Sequence, residues 1–258
     1  MPTPIYTPEN CNFAYQLDWS LSVFWRSPPT TDAWLPALQQ ATEAEGVRVL
    51  RHRFERPDLS LFLVSTRPHV PAHAIPKSVK GRLQYLVRDR LSKAFQRNYA
   101  LRSIGSTTRD TLDHYLAAQL EHHPLADPRM EERFAHYQIH NPEIDLSQPR
   151  QTAHAVNWYN LHVVLVHAER WREIRDELLQ KVHAMLLRSS TAKGHLLARA
   201  AILPDHFHLM LGCQVEESPQ QVMLSYLNNL AYVWGMRPIF QFGGFVGTFG
   251  EYDLGAVQ

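Results

Sequence analysis

Apolar and polar positions fall into one series of elements that recurs along the chain. Leu17–Trp25 and Asn160–His167 combine aromatic and β-branched residues, and each predicts an opening strand. A helix follows each. Trp34, Leu38 and Ala41 form its apolar stripe in the first series; Trp171, Ile174, Leu178, Val182 and Met185 form a longer one in the second. Gly46 and Gly194 then precede strands that lead into Pro57-Asp58 and Pro204-Asp205, with 12 positions from Gly46 to Asp58 and 11 from Gly194 to Asp205. A second helix is predicted from Val79, Leu83, Leu86, Leu91, Ala94 and Phe95 in one series and from Val222, Tyr226, Leu230, Val233 and Trp234 in the other. Short strands ending in glycine, Tyr99–Gly105 and Gly244–Gly250, close both.

From Leu61 to Gly105 is 44 positions and from His208 to Gly250 is 42. Each half therefore reads β-α-β-β-α-β, the split βαβ or ferredoxin-like arrangement with helices on one face of an antiparallel sheet. The expected fold class is α+β, with two such halves related by a pseudo-twofold. Residues 1–119 form the first half, 120–156 a linker and 157–258 the second half. The linker carries Pro124, Pro128, Pro142 and Pro149, with one short helix expected near Met130–Tyr137.

An apolar fraction of 45% is ample for a packed core, and no run is long enough to cross a membrane. The polar, proline-bearing Met1–Asn12 has no signal-peptide pattern. Cys11 and Cys213 form neither a metal spacing nor a disulfide framework, so a cytoplasmic protein with reduced thiols is expected. The net charge of +1 decides little, but its distribution is lopsided. Nine basic residues lie between Lys77 and Arg109, whereas Ser218–Gly250 has Arg237 alone. Lys77, Lys80, Arg82, Arg88, Lys93 and Arg97 are the candidate nucleic-acid contacts, with Tyr99 and Trp19 as stacking surfaces; a solvated helix face is the plain alternative.

The two Pro-Asp motifs differ where chemistry is concerned. Leu203-Pro204-Asp205-His206-Phe207-His208-Leu209-Met210-Leu211 carries two histidines, and the matching positions of the first half are Leu59 and Leu61. Side chains alternate along a strand, so His206 and His208 project together and Phe207 projects the other way. The pair suits joint coordination of a divalent cation, with two polar residues on a half-exposed strand as the alternative. In the first half, Thr107 with Asp110 three residues on reads as a capping-box variant opening a helix in which Leu112, Tyr115, Leu116 and Gln119 share a face. Taken alone, Tyr115 reads as a core aromatic, Gln119 as solvated, and His114, His122 and His123 as surface histidines.

The His-Phe-His run with its flanks resembles the signature of the single-tyrosine HUH transposases, which include the REP-associated tyrosine transposases. Tyr99–Gln119 resembles the same family, with an aromatic strand ending in glycine and then a Tyr-x-x-x-Gln helix. The resemblance implies that His206 and His208 are metal ligands for Mg²⁺ or Mn²⁺, Tyr115 the nucleophile and Gln119 a possible third ligand. It further implies a substrate of single-stranded or hairpin DNA that is nicked and rejoined through a phosphotyrosine intermediate. Family members dimerise and can pair the histidines of one subunit with the tyrosine helix of the other, so this chain is expected to act as a single-chain pseudo-dimer, or as a homodimer. Leu59 and Leu61 would disable one site, and the tyrosine equivalent to Tyr115 would fall beyond Gln258; Tyr252 is only two residues past Gly250. The alternatives are a non-catalytic module binding a DNA or RNA hairpin, and a zinc hydrolase using His206 and His208.

Overall fold

The computed structural model describes residues 3–123, 125 and 127–250. Tyr252 lies outside the described residues. The strands are β1 (Asn12–Gln16), β2 (Asp18–Trp25), β3 (Val47–Arg56), β4 (Leu59–Thr66), β5 (Phe95–Ile104), β6 (Ile139–His140), β7 (Arg150–Gln151), β8 (Ala155–Trp158), β9 (Asn160–Val166), β10 (Leu196–Ile202), β11 (His206–Gly212) and β12 (Gly243–Thr248). The helices are α1 (Leu35–Glu43), α2 (Ala74–Val87), α3 (Arg109–Ala117), α4 (Gln119–His122), α5 (Pro128–Tyr137), α6 (Asp176–Lys193) and α7 (Pro219–Ala231). The architecture is mixed α+β with two six-stranded sheets, ordered β3-β4-β2-β5-β8-β7 and β1-β12-β9-β11-β10-β6. The antiparallel set β3-β4-β2-β5 and the antiparallel set β10-β11-β9-β12 have the same order when strands are counted along the chain.

Both sheets are completed by a strand from the other side. The chain runs through β1, pivots at the buried Leu17 and continues as β2, so that β1 pairs in parallel with β12 while β2 pairs with β4 and β5. Likewise β8 pairs in parallel with β5, the chain pivots at Tyr159, and β9 enters the second sheet between β11 and β12. Trp19, fully buried, packs on Tyr159 with ring centroids 5.2 Å apart. One hydrophobic core runs through both sheets, from Trp19, Leu21 and Phe62 to Leu161, Val163 and Leu209. Each fully buried side chain of this size contributes about 1.5–3 kcal/mol relative to exposure.

The seam itself is held by hydroxyls. Thr248 Oγ1 accepts from Asp18 N at 2.8 Å and donates to Ile104 O at 2.6 Å. Across the seam, Ser103 Oγ accepts from Asn160 N at 3.0 Å and donates to Phe249 O at 2.9 Å. The backbones approach so closely that a Cβ on Gly105 would stand 2.1 Å from Thr248 O, and one on Gly250 2.2 Å from Ser103 O.

Several elements differ from the pattern-based expectation. The first basic helix ends at Val87 instead of running on to Phe95: Gln84 turns its carboxamide onto Leu91 O (2.9 Å) and Ala94 N (2.9 Å), fixing an extended turn, and the strand starts at Phe95. Helix α6 starts only at Asp176, which leaves Trp171 and Ile174 outside it and exposed. The cap of α3 is Thr108, not Thr107; its Oγ1 accepts from Thr111 N at 3.2 Å. Helix α5 lies where a short helix was expected. Among the described residues no helix is long and apolar enough to cross a membrane, and both cysteines are free thiols.

Candidate active site

Strand alternation sorts β11 into two faces. Phe207, Leu209 and Leu211 belong to the main core, with Leu179, Val182 and Leu186 of α6 and Val222, Tyr226 and Leu230 of α7. Met210 belongs to a second, smaller cluster on the opposite face, with Leu112 and Leu116 of α3 and with Ala198, Ala201 and Leu203. His206 and His208 share the parity of Met210, so they project toward α3, the helix that carries Tyr115. Asp113 of α3 makes a two-pronged ion pair with Arg199 of β10, at 2.6 and 3.0 Å, and this fixes the helix across the sheet.

The rings come together at this face. Tyr115, 45% exposed, stands edge-on to His208 with centroids 5.8 Å apart. His206 and His208 are 5.0 Å apart. His123, two turns beyond Tyr115, stands edge-on to His206 at 5.3 Å, so this exposed histidine borders the site. Gln119 lies midway between Tyr115 and His123 in the chain, at the start of α4 after the helix breaks at Ala118. It is not solvated but 1% exposed. Its Nε2 donates to Tyr115 O at 3.1 Å, the carbonyl that the break leaves free, and its buried Oε1 has no hydrogen-bond partner. A buried amide oxygen without a partner is costly and calls for an explanation.

The histidines are themselves held. His206 Nδ1 lies 2.7 Å from Asp205 Oδ1, and Arg170 approaches the other oxygen of that carboxylate at 3.4 Å. His208 Nδ1 lies 3.0 Å from Nε2 of His162, a residue of β9 that sequence reasoning passed over as part of an apolar strand. Burial pushes His162 down to about 4. Burial, then repulsion from His162, His206 and His123, pushes His208 down to about 2. His206 is also lowered by burial, against the pull of Asp205. Burial pushes Asp205 upward, but His206 and Arg170 hold its carboxyl below the usual range. Both imidazoles of the motif are therefore neutral at pH 7. With each Nδ1 engaged, the Nε2 of each keeps its lone pair when Nδ1 carries the proton. Among the described residues no group of three His, Cys, Asp or Glu side chains could hold a metal ion. Two imidazoles and the Gln119 amide oxygen are nonetheless donors of a type that holds first-row divalent cations, and the orphaned Oε1 fits such a role.

Of the basic candidates, Lys77, Lys80 and Arg82 lie on α2, Arg88 at its end, Lys93 in the turn and Arg97 on β5. Lys80 is turned inward: its Nζ donates to Gln96 O (2.9 Å) and Arg97 O (3.1 Å), and burial lowers its pKa. Arg82 pairs with Glu45, and Arg88 stacks over Tyr85 at 4.0 Å. Trp19 offers no stacking surface, because it is fully buried and its Nε1 donates to Thr66 Oγ1 at 3.0 Å. Tyr99 is partly buried beneath Lys80. In the first half, Leu59 and Leu61 occupy β4 positions where no imidazole is available.

Residues 155–233 match the model of the IS200-like transposase family, a span that covers β8 through α7 and contains the His-Phe-His motif. The chain is also similar to the crystal structure of a provisionally assigned transposase from Deinococcus radiodurans R1, with 15% identity and a TM-score of 0.32 over 42% of this chain and 94% of that one. No curated protein matches the sequence.

Proposed function

We propose, from the match of residues 155–233 to the IS200-like transposase model, that the chain cuts and rejoins single-stranded or hairpin DNA through a phosphotyrosine at Tyr115. The observation that carries the reading is the meeting of Tyr115, on the helix that follows the first sheet's β5, with His208 of the second sheet. The same strand order in both sheets, and the reciprocal passage of β1 and β8 between them, support a fused pseudo-dimer of two ferredoxin-like halves with one working site.

In this reading His206 and His208 hold a divalent cation, Mg²⁺ or Mn²⁺, with Gln119 Oε1 as third donor. The bound cation would neutralise charge developing on the scissile phosphate. Tyr115 Oη forms the bond to phosphorus, the bond from phosphorus to the 3′ oxygen breaks, and the phenolic proton is released as the 3′ oxygen gains one. Rejoining reverses these bonds, with the phosphoester energy kept in the protein–DNA link. Asp205 and His162 orient the imidazoles from behind, and Asp113 with Arg199 keeps α3 on the histidine face.

Incubation of a labelled hairpin oligonucleotide with Mn²⁺ or Mg²⁺ tests the reading: metal-dependent cleavage is expected, lost in His206→Ala, His208→Ala and Tyr115→Phe. Cleavage that survives Tyr115→Phe indicates a hydrolase instead. Tight binding without cleavage under either metal indicates a hairpin-binding module.

A further inference from the structure

A second feature lies beside the His206 end of the site, in the loop between β9 and α6. Here the chain places two consecutive non-glycine residues, Glu169 (φ 52°) and Arg170 (φ 56°), in the left-handed region. Such strain persists only where surrounding contacts impose it, and it collects at functional sites. The contacts are on the loop's underside. Glu173, 2% exposed, accepts from Arg175 Nε at 2.8 Å and from Trp234 Nε1 at 3.1 Å, and its own N–H donates to Pro204 O at 2.8 Å. Trp171 O accepts from His167 Nδ1 at 2.9 Å. With its base pinned, the loop presents Trp171, 39% exposed, together with Ile174 at 47% and the exposed Arg172. Arg172 has no partner among the described residues, while Arg170 reaches back to Asp205, the residue that holds His206. Glu169 is the loop's one exposed acid, because Glu173 is buried against Arg175.

An exposed indole flanked by arginines on a rigid loop is matched by a base and its neighbouring phosphates. We propose that residues 168–175 dock a single-stranded nucleic acid, Trp171 stacking on one base while Arg172 and Arg170 hold adjoining phosphates, so that the strand passes over this loop at the His206 end of the site. The proposal takes the substrate class from the function proposed above and moves the contact surface from the α2 region to a loop that the sequence pattern assigns to a helix.

The test is fluorescence anisotropy with a fluorescein-labelled, mixed-sequence single-stranded oligodeoxynucleotide in EDTA over a salt series, with thermal melts to confirm folding. Trp171→Ala is expected to weaken binding about tenfold or more, and Trp171→Phe, which keeps an aromatic face, by no more than about threefold. Arg172→Ala, at an exposed position, is expected to reduce the slope of log affinity against log salt by about 0.7; Arg48→Ala, at an exposed position of β3, serves as the reference surface charge. Wild-type affinity and slope in both Trp171→Ala and Arg172→Ala overturn the proposal, as does a wild-type chain that fails to bind the oligonucleotide. Metal-dependent cleavage measured in parallel separates the two claims. Weakened binding in the loop variants with no wild-type cleavage keeps the docking loop and removes the catalysis; cleavage with unaltered binding in the variants does the reverse.

Discussion

The ring of Tyr115 meets that of His208 edge-on at a centroid distance of 5.8 Å, although Tyr115 lies on the helix that follows β5 of the first sheet and His208 on β11 of the second. Helix α3 reaches that position because Leu112 and Leu116 pack on the histidine face of β11 and Asp113 grips Arg199. A site assembled this way depends on the seam between the sheets as much as on its own side chains.

His162 is expected to set the orientation and proton position of His208. Outer partners of metal-binding histidines typically change metal affinity by about 10–100-fold when removed. His162→Phe should weaken Mn²⁺ binding by that order in titration calorimetry, and His162→Gln, which retains a hydrogen-bonding group, should weaken it less. Equal affinity for Mn²⁺ in wild type and His162→Phe would show that the contact between His162 and His208 has no such role.

The seam should be intolerant of added atoms. A Cβ at Gly105 would meet the Thr248 carbonyl oxygen at 2.1 Å, and that oxygen belongs to a hydrogen-bonded backbone. Gly105→Ala should cost about 1–3 kcal/mol in urea unfolding, within the range for overpacking. Thr248→Val keeps the volume but leaves Asp18 N and Ile104 O without the hydroxyl, a loss of about 1–3 kcal/mol per stranded group. An unchanged midpoint in both variants would contradict the described packing.

Acid should destabilise the fold through His167. Its Nε2 is buried without a partner among Trp171, Phe207, Trp234 and Phe240, so burial lowers its pKa, opposed by the Trp171 carbonyl and by the charges of Asp205 and Glu173. The unfolded chain binds a proton near pH 6.5 and the folded chain only at lower pH, so this group's contribution is complete above about pH 6.5. It is lost as the pH falls toward the folded value. Tm should therefore fall between pH 7 and pH 5, less steeply in His167→Phe than in wild type; parallel curves would assign the acid sensitivity to other groups.

Much of the element order was legible, because period-2 alternation and helical stripes are local signals. His206 and His208 could be placed on one face from β11 alone; the spacing of Tyr115 and Gln119 read as one helix, whereas the break at Ala118 puts Gln119 at the start of α4. The crossing of β1 and β8 into the opposite sheets was not legible, since a short strand's partner is chosen by what lies across the seam and not by its own residues. Trp171 and Ile174 fit a helical stripe, yet the buried Glu173 and the left-handed backbone at Glu169 and Arg170 hold them outside α6. His162 was hidden as one polar residue in an apolar strand; its value appears only in the register that sets it opposite Met210, two residues from His208. Trp19 was an aromatic on a strand whose inward face could not be told from its outward one until the second sheet was in place.

The most direct measurement is mass-spectrometric mapping of a covalent protein–DNA adduct formed with a single-stranded hairpin substrate and Mn²⁺. The expected result is a phosphodiester-linked nucleotide on the peptide containing Tyr115, absent from Tyr115→Phe and from His206→Ala/His208→Ala. An adduct on another tyrosine, or cleavage with no adduct, would contradict the assignment of Tyr115 as the nucleophile held over the two histidines.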